Sequence, residues 1–241
     1  IVLPKGITTI GDDAFSYNTS LTSIKSPNTV TSIGKRAFQG CTNLTSIEIP
    51  DTVTYIGDYC FSGCNRLQKI KLSKKIQTIN QRLLQGCSSL TEIEIPEGVK
   101  SIGYAAFSSC SKLTTITLPA SLTSFNGTAL AGLSRLTEVK VADGNNSFKF
   151  ENGMLFSKDG KTMYMALLTL TEINVPNGVV SIVGDGLSGS NATKIILPDT
   201  VSSNLSGTVF NGMNKLTKIE LSSTSKNLKL VDGNLYLYDG K

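Results

Sequence analysis

Proline recurs in this sequence at a fixed step. Pro4, Pro27, Pro50, Pro96 and Pro119 lie on a 23-residue period, with Ser73 in the skipped place. Leu21, Leu44, Leu67, Leu90, Leu113 and Leu136 keep the same step, as do Ile10, Ile33, Ile56, Ile79 and Ile102, followed by Phe125. One unit reads LTSIEIPDTVTYIGDYCFSGCNR, Leu44 to Arg66. Chance does not hold several columns in register over successive units, so the period restricts the chain to a repeat architecture. No unit this short buries its apolar edge alone, and stacked neighbours bury it for each other.

A longer period overlies the short one. From Leu136 to Leu170 the step is 34 residues, and the pattern then resumes through Pro176, Ile182, Pro198, Phe210 and Leu216. NGMLFSKDGK, Asn152 to Lys161, returns 80 residues later as DGNLYLYDGK, Asp232 to Lys241. The register slips by one residue near Ala192 and is restored before Leu205. The expected organisation is one solenoid: short coils over about 1–140, a β-meander insert over about 142–165, coils over about 170–221, and the start of a second insert over about 222–241. Ile1 aligns with Ile24 and Lys241 with Lys161, both inside a unit, so the chain is expected to be a fragment of a longer array.

Within a unit, Ile47 and Ile49 flank polar Glu48, the alternation of a short strand with one buried face. Pro50 ends that strand because it donates no ladder hydrogen bond. Thr52 to Gly57 is a second β-branched run, and Asp58 to Cys64 is short enough for a 3₁₀ or helical turn. Parallel strands of successive coils are then expected ~4.8 Å apart. The long unit differs: Asn152-Gly153 and Asp159-Gly160 are turn signals between alternating runs, which predicts a β-meander projecting from the solenoid.

The pattern L-x-x-I-x-I-P-x-x-V-x-x-I-G-x-x-A-F-x-G-C, carried by LPKGITTIGDDAF, IGKRAFQGC and IGYAAFSSC, resembles the leucine-rich repeat of BspA-like bacterial surface proteins, the Treponema pallidum-type repeat. The resemblance covers nearly the whole chain. NGMLFSKDG also resembles segments of these proteins. Val183 replaces the Gly, and Ser190 and Met213 the Cys, so less regular geometry is expected in the last coils. The fold class expected is mainly β: a right-handed leucine-rich repeat solenoid of 23-residue coils with short parallel strands, 3₁₀ or helical turns and β-meander inserts. The resemblance implies a secreted or surface-attached protein of host-associated microbes, and binding to host matrix proteins or other cells for some members.

Composition removes several classes of chemistry. The formal charge is only +5 and no Lys/Arg block stands out, which disfavours nucleic acid as a partner. No 18-residue apolar run exists to span a membrane in this segment. There is no His, the commonest general base and metal ligand, and no Trp. Five Cys cannot complete an intramolecular disulfide framework.

YCFSGC, Tyr59 to Cys64, looks like a paired-thiol site when read alone. Aligned, Cys41, Cys64, Cys87 and Cys110 share a column with Asn18, Leu133, Ser190 and Met213, and Cys60 shares one with Ala14, Ala37, Leu83 and Val209. Catalysis does not accept Leu or Ala in the same place, so packed thiols are expected. GDGLSG, Gly184 to Gly189, matches G-x-G-x-x-G, but the next coil begins at once and leaves no room for the long helix of a dinucleotide site. Phe15, Phe38, Phe61, Phe107 and Phe210 share a column whose gaps hold Leu84, Leu130 and Leu187, a core spine. No catalytic residue, cofactor or metal site is expected.

The outward strand positions remain as binding candidates. One column runs Lys25, Glu48, Lys71, Glu94, Thr117, Lys140, and another Ser23, Ser46, Lys69, Glu92, Thr115, Glu138. Residue by residue, a solvated face with weak cross-strand ion pairs accounts for these columns. As a face, Lys69, Lys71, Glu92, Glu94, Thr115, Thr117, Glu138 and Lys140 form an extended polar surface for a host or neighbouring-cell protein or glycan. The expected role is non-enzymatic adhesion or recognition outside the cell. A passive spacer and a thiol enzyme built on Cys60 and Cys64 are the alternatives.

Overall fold

The computed structural model describes residues 1–201, 205, 208–222, 228–231 and 234–237. Much of the expected second insert, 223–227, 232–233 and 238–241, lies outside the described residues. The chain divides into two units, Ile1–Ser147 and Phe148–Lys241.

In the first unit the recurring apolar triplets stack as parallel strands. Ser46–Glu48 pairs with Lys69–Lys71, and Thr115–Leu118 with Glu138–Val141. The partners stand one repeat apart, Ile47 beside Ile70 and Ile116 beside Val139. Ile47 is buried and its neighbours Ser46 and Glu48 are exposed, as the period-2 pleat requires. The β-branched run of each coil builds a second set of parallel ladders. Thr9–Ile10, Ser32–Ile33 and Tyr55–Ile56 form one, and Thr78–Ile79, Ser101–Ile102 and Ser124–Phe125 the next.

The turn side of each coil carries a ladder of its own. Asp13, Phe15 and Tyr17 donate their N–H groups to the carbonyls of Lys35, Ala37 and Gln39 in the next coil, while Ala14, Ser16 and Asn18 donate back to Gly11, Asp13 and Phe15. This alternation needs left-handed residues, and they fall in register: Asp13, Arg36, Tyr59, Arg82 and Ala105 have φ of 56°, 54°, 59°, 52° and 51°. The next coil has Thr128 in that column. A β-branched residue resists positive φ, and here the segment Gly127–Leu130 closes as a 3₁₀ helix, capped by Asn126, whose side chain accepts from Thr128 N.

Inside the coils, Phe15, Phe38 and Phe61 stack with ring centroids 5.3 Å apart at 4° and 3°. Beside them run the thiols. Cys41, Cys64, Cys87 and Cys110 donate Sγ–H to the carbonyls of Phe15, Phe38, Phe61 and Leu84 at 3.0–3.2 Å. All five cysteines are free and buried.

The second unit contains the long repeat. Phe148–Glu151, Met154–Ser157 and Thr162–Ala166 form an antiparallel meander with a bulge between Leu155 and Phe156. Asn152 and Gly153 both have positive φ, 51° and 76°, the condition for a two-residue hairpin turn. The meander does more than project. Thr162–Ala166 pairs in parallel with Ser181–Ile182, so it occupies a rung of the coil ladder. Met154, Phe156 and Met163 accordingly join Ile173, Val179, Ile182 and Ile195 in the core of this unit. Glu172–Asn174, Lys194–Leu197 and Lys218–Leu221 continue the outward-charged strand type in this unit.

Candidate functional site: a charged cleft in the strand face

The strand face of the first unit is interrupted. Between Lys69–Lys71 and Thr115–Leu118, residues 92–95 have the same Ile/Glu alternation but form no strand. Among the described residues, no backbone hydrogen bond joins 91–95 to either neighbouring coil. The turn side of the same two coils stays closed: Arg82, Leu84 and Gly86 donate to Tyr104, Ala106 and Ser108 at 2.8 Å. The coils therefore part only on the strand side, as a wedge.

Side chains that tie other coils together are missing at this junction. Asp51 Oδ1 accepts the N–H of Lys74 at 2.9 Å, and Glu97 Oε1 accepts that of Ala120 at 2.9 Å. Lys74 occupies the same column between them and has no acceptor to offer Glu97. A hydroxyl clamp is lost as well. Thr29, Thr52 and Ser121 donate to the carbonyls of Ile7, Val30 and Val99 at 2.7, 2.6 and 2.9 Å, whereas Gly98 stands in that column with no hydroxyl. A third tie, the threonine hydroxyl that reaches the previous coil in Thr45→Thr22 O and Thr137→Thr114 O, is not made by Thr91. Each net hydrogen bond contributes about 1 kcal/mol, so losing several weakens this junction. Ser73, in place of a proline, keeps its own tie to the preceding coil through Oγ–H to Val53 O at 2.5 Å.

The wedge is a cleft of ≈ 670 Å³. Lys69, Lys71 and Lys74 stand on one lip, Glu92, Glu94 and Glu97 on the other, over Ile70, Leu72, Ile93 and Pro96. Opposite charges face each other, yet among the described residues no ion pair within 4.0 Å crosses the gap. Lys71 instead pairs backwards with Glu48 at 2.5 Å. That hydrogen bond holds the Lys71 ammonium above its ordinary range, with the charge of Glu94 a smaller contribution.

Of the eight residues singled out on the strand face, the structure brings Lys69, Lys71, Glu92 and Glu94 together around this cleft. Thr115, Thr117, Glu138 and Lys140 lie on the closed ladder beyond it, Glu138 beside Thr115 and Lys140 beside Thr117. Lys140 reaches Glu138 at 3.6 Å along its own strand.

Sequence reasoning passed over a second surface. On the turn side Arg36 pairs with Asp13 at 2.9 Å, and the Arg82 guanidinium lies 5.2 Å from the ring centroids of both Tyr59 and Tyr104. The signal was present: Asp13, Arg36, Tyr59 and Arg82 share one turn column, and Tyr104 stands in the adjacent one. The paired thiols, by contrast, are sealed. Cys60 and Cys64 are both 0% exposed. Burial pushes the Cys64 thiol up to about 12 and Cys60 well above its usual range, the opposite of an activated nucleophile.

Stacked parallel coils with a leucine column, a proline stop and a polar strand face define a leucine-rich repeat protein. The chain belongs to the BspA-type leucine-rich repeat family, whose profile matches in six copies over residues 1–90, 31–158 and 160–231. Similar solved structures agree on the fold. The pneumococcal vaccine antigen PcpA superposes with a TM-score of 0.61 at 23% identity, over 92% of this chain and 50% of that one. A leucine-rich cell surface protein from Faecalibacterium prausnitzii gives 0.57 at 24% identity, over 92% and 59%. A leucine-rich repeat protein from Bacteroides ovatus gives 0.52 at 25% identity, over 80% and 64%. The chain thus spans 50% to 64% of the length of these three proteins. A search of curated sequences gave no match. No helix among the described residues is long and apolar enough to cross a membrane.

Proposed function

We propose that this chain is a non-enzymatic recognition domain that works outside a bacterial cell and mediates adhesion through its strand face. One observation carries the reading: the strand face opens into a cleft whose lysine and glutamate lips are left unpaired across the gap. A face serving only as a spacer gains nothing from parting its own ladder, whereas exposed charges held apart are available to a partner. Family membership supports a repeat surface that recognises proteins or glycans. The F. prausnitzii protein is described as a cell surface protein, which supports the same placement here.

The test is capture by immobilised host matrix proteins and mucin glycans. Reversing only Lys69 and Lys71 to glutamate, which sets acidic side chains on both lips, abolishes capture if the face recognises its partner. Capture that survives the reversal, or none by the unaltered protein, moves the assignment to a spacer. Rapid labelling of native Cys64 by a thiol reagent is the result that would favour a thiol enzyme.

A further inference from the structure

The backbone groups lining the cleft belong to one strand edge, Lys69–Lys71, and one unladdered segment, 92–94, and their chemistry points to a more specific ligand. In the closed ladder Ile49 N–H donates to Lys71 C=O at 2.8 Å, so inward residues address the following coil and outward residues the preceding one. By that register the N–H and C=O of Ile70 and the N–H of Leu72 face the cleft from one wall, and the same alternation carried on to 92–94 would turn the groups of Glu92 and Glu94 toward it from the other. The free edge of Lys69–Lys71 and the unladdered segment 92–94 facing it offer donors and acceptors to an added strand. The added strand's outward side chains would then fall in rungs between Lys69 and Glu92 and between Lys71 and Glu94.

We infer that the cleft takes an extended peptide with amide side chains, glutamine or asparagine, at alternate positions. Resting on the recognition role proposed above, this inference names the class of partner segment at the centre of the face. An amide in such a rung accepts from the lysine with its oxygen and donates to the glutamate with its nitrogen. A carboxylate gains from the lysine and is repelled by the glutamate, and a cation suffers the reverse. Apolar residues between the amides pack on Ile70, Leu72 and Ile93. Full insertion sets the two walls ~9.6 Å apart, two strand spacings. The wedge already leads toward that separation while the Arg82, Leu84 and Gly86 turn bonds hold the far side.

The experiment uses a seven-residue capped peptide with three glutamines alternating with two valines between terminal glycines, and two counterparts with glutamate or lysine at the glutamine positions. Fluorescence anisotropy on the intact chain is expected to rank glutamine about tenfold tighter than either charged peptide, the equivalent of ~1.4 kcal/mol. Hydrogen exchange is expected to slow at the amides of Ile70, Leu72 and Glu94 while those of Arg82, Leu84 and Gly86 stay unchanged. Lys69→Glu with Lys71→Glu makes both lips acidic and shifts the preference to the lysine peptide. The fourfold lip reversal exchanges the two walls and keeps the glutamine preference. Equal binding of all three peptides, binding of none, or protection elsewhere overturns the inference. Because the peptide is read on the unaltered protein, a folding defect in a variant does not decide the matter. Matrix capture that persists without peptide binding refutes the strand ligand and leaves the recognition role; the converse refutes only the role.

Discussion

At Gly57 an added Cβ would sit 2.5 Å from Lys35 N and 2.6 Å from Gly34 C, both backbone atoms of the preceding coil. The repeated Ile-Gly is therefore a close approach between coils rather than a flexible joint. Gly57→Ala is expected to lower stability by about 1–3 kcal/mol, the usual cost of overpacking. Gly11→Ala, in the same column with nothing within 4 Å, is the control that stays near zero in urea titrations. The thiol column gives a second prediction. Burial raises Cys64 from 9.0 to about 12, so between those values the unfolded chain releases a proton that the folded chain retains. The stability this thiol contributes is present below about pH 9 and is lost as pH rises toward 12. One such thiol adds a slope of about 1.4 kcal/mol per pH unit. Cys64→Ala is expected to be less stable than the parent at pH 7 and to lose less between pH 9 and pH 12. Parallel pH curves would mean the thiol titrates as an exposed one.

At the level of strands, Lys74 and Gly98 withhold two ties from the junction that the cleft occupies. Lys74→Asp restores an acceptor for the Glu97 N–H, as Asp51 supplies for Lys74 at 2.9 Å. The expected gain is about 0.5–1.5 kcal/mol, with slower exchange at the Ile70 and Leu72 amides and weaker binding of the glutamine peptide. No change in exchange would show that the missing clamp is not what parts the coils. Most of the first unit's architecture is legible in the sequence because a column speaks for itself: Pro50, Ile56 and Cys64 mean the same thing in each coil. The cleft is not, because it depends on two exceptions in separate columns acting at one junction, and a polar surface column reads as noise. Thr128 shows the same limit. Only the φ of its column, 51° to 59° in the five preceding coils, reveals why a threonine there turns the segment 3₁₀. The meander was legible as hairpins through Asn152-Gly153, but sequence periodicity does not say that Thr162–Ala166 also serves as a ladder rung, since its pairing partner belongs to the next coil.

At the scale of the molecule, the repeat makes each coil a replaceable part. Leu44 to Arg66 spans one period, so its removal joins Asn43 to Leu67, a residue of the same type as the one lost. Every column on either side then meets its counterpart one coil earlier. Ile33 would face Ile79 where it faced Ile56, and the phenylalanine stack would run from Phe38 to Leu84. Because stability in such arrays sums intrinsic and nearest-neighbour contributions, the deletion is expected to leave a folded β protein with a lower Tm. Removing only residues 44–55 shifts every later column by about half a coil. That sets Gln68 against Ile33, Lys69 against Gly34 and Ser73 against Phe38, and burying unsatisfied polar groups and unpaired charge costs several kcal/mol. Circular dichroism and thermal melts separate the two outcomes: cooperative melting for the full-unit deletion, none for the half-unit deletion. Should the full-unit deletion fail to fold while the half-unit one melts cooperatively, the coils would not be equivalent, and column identity would not be what holds the first unit together.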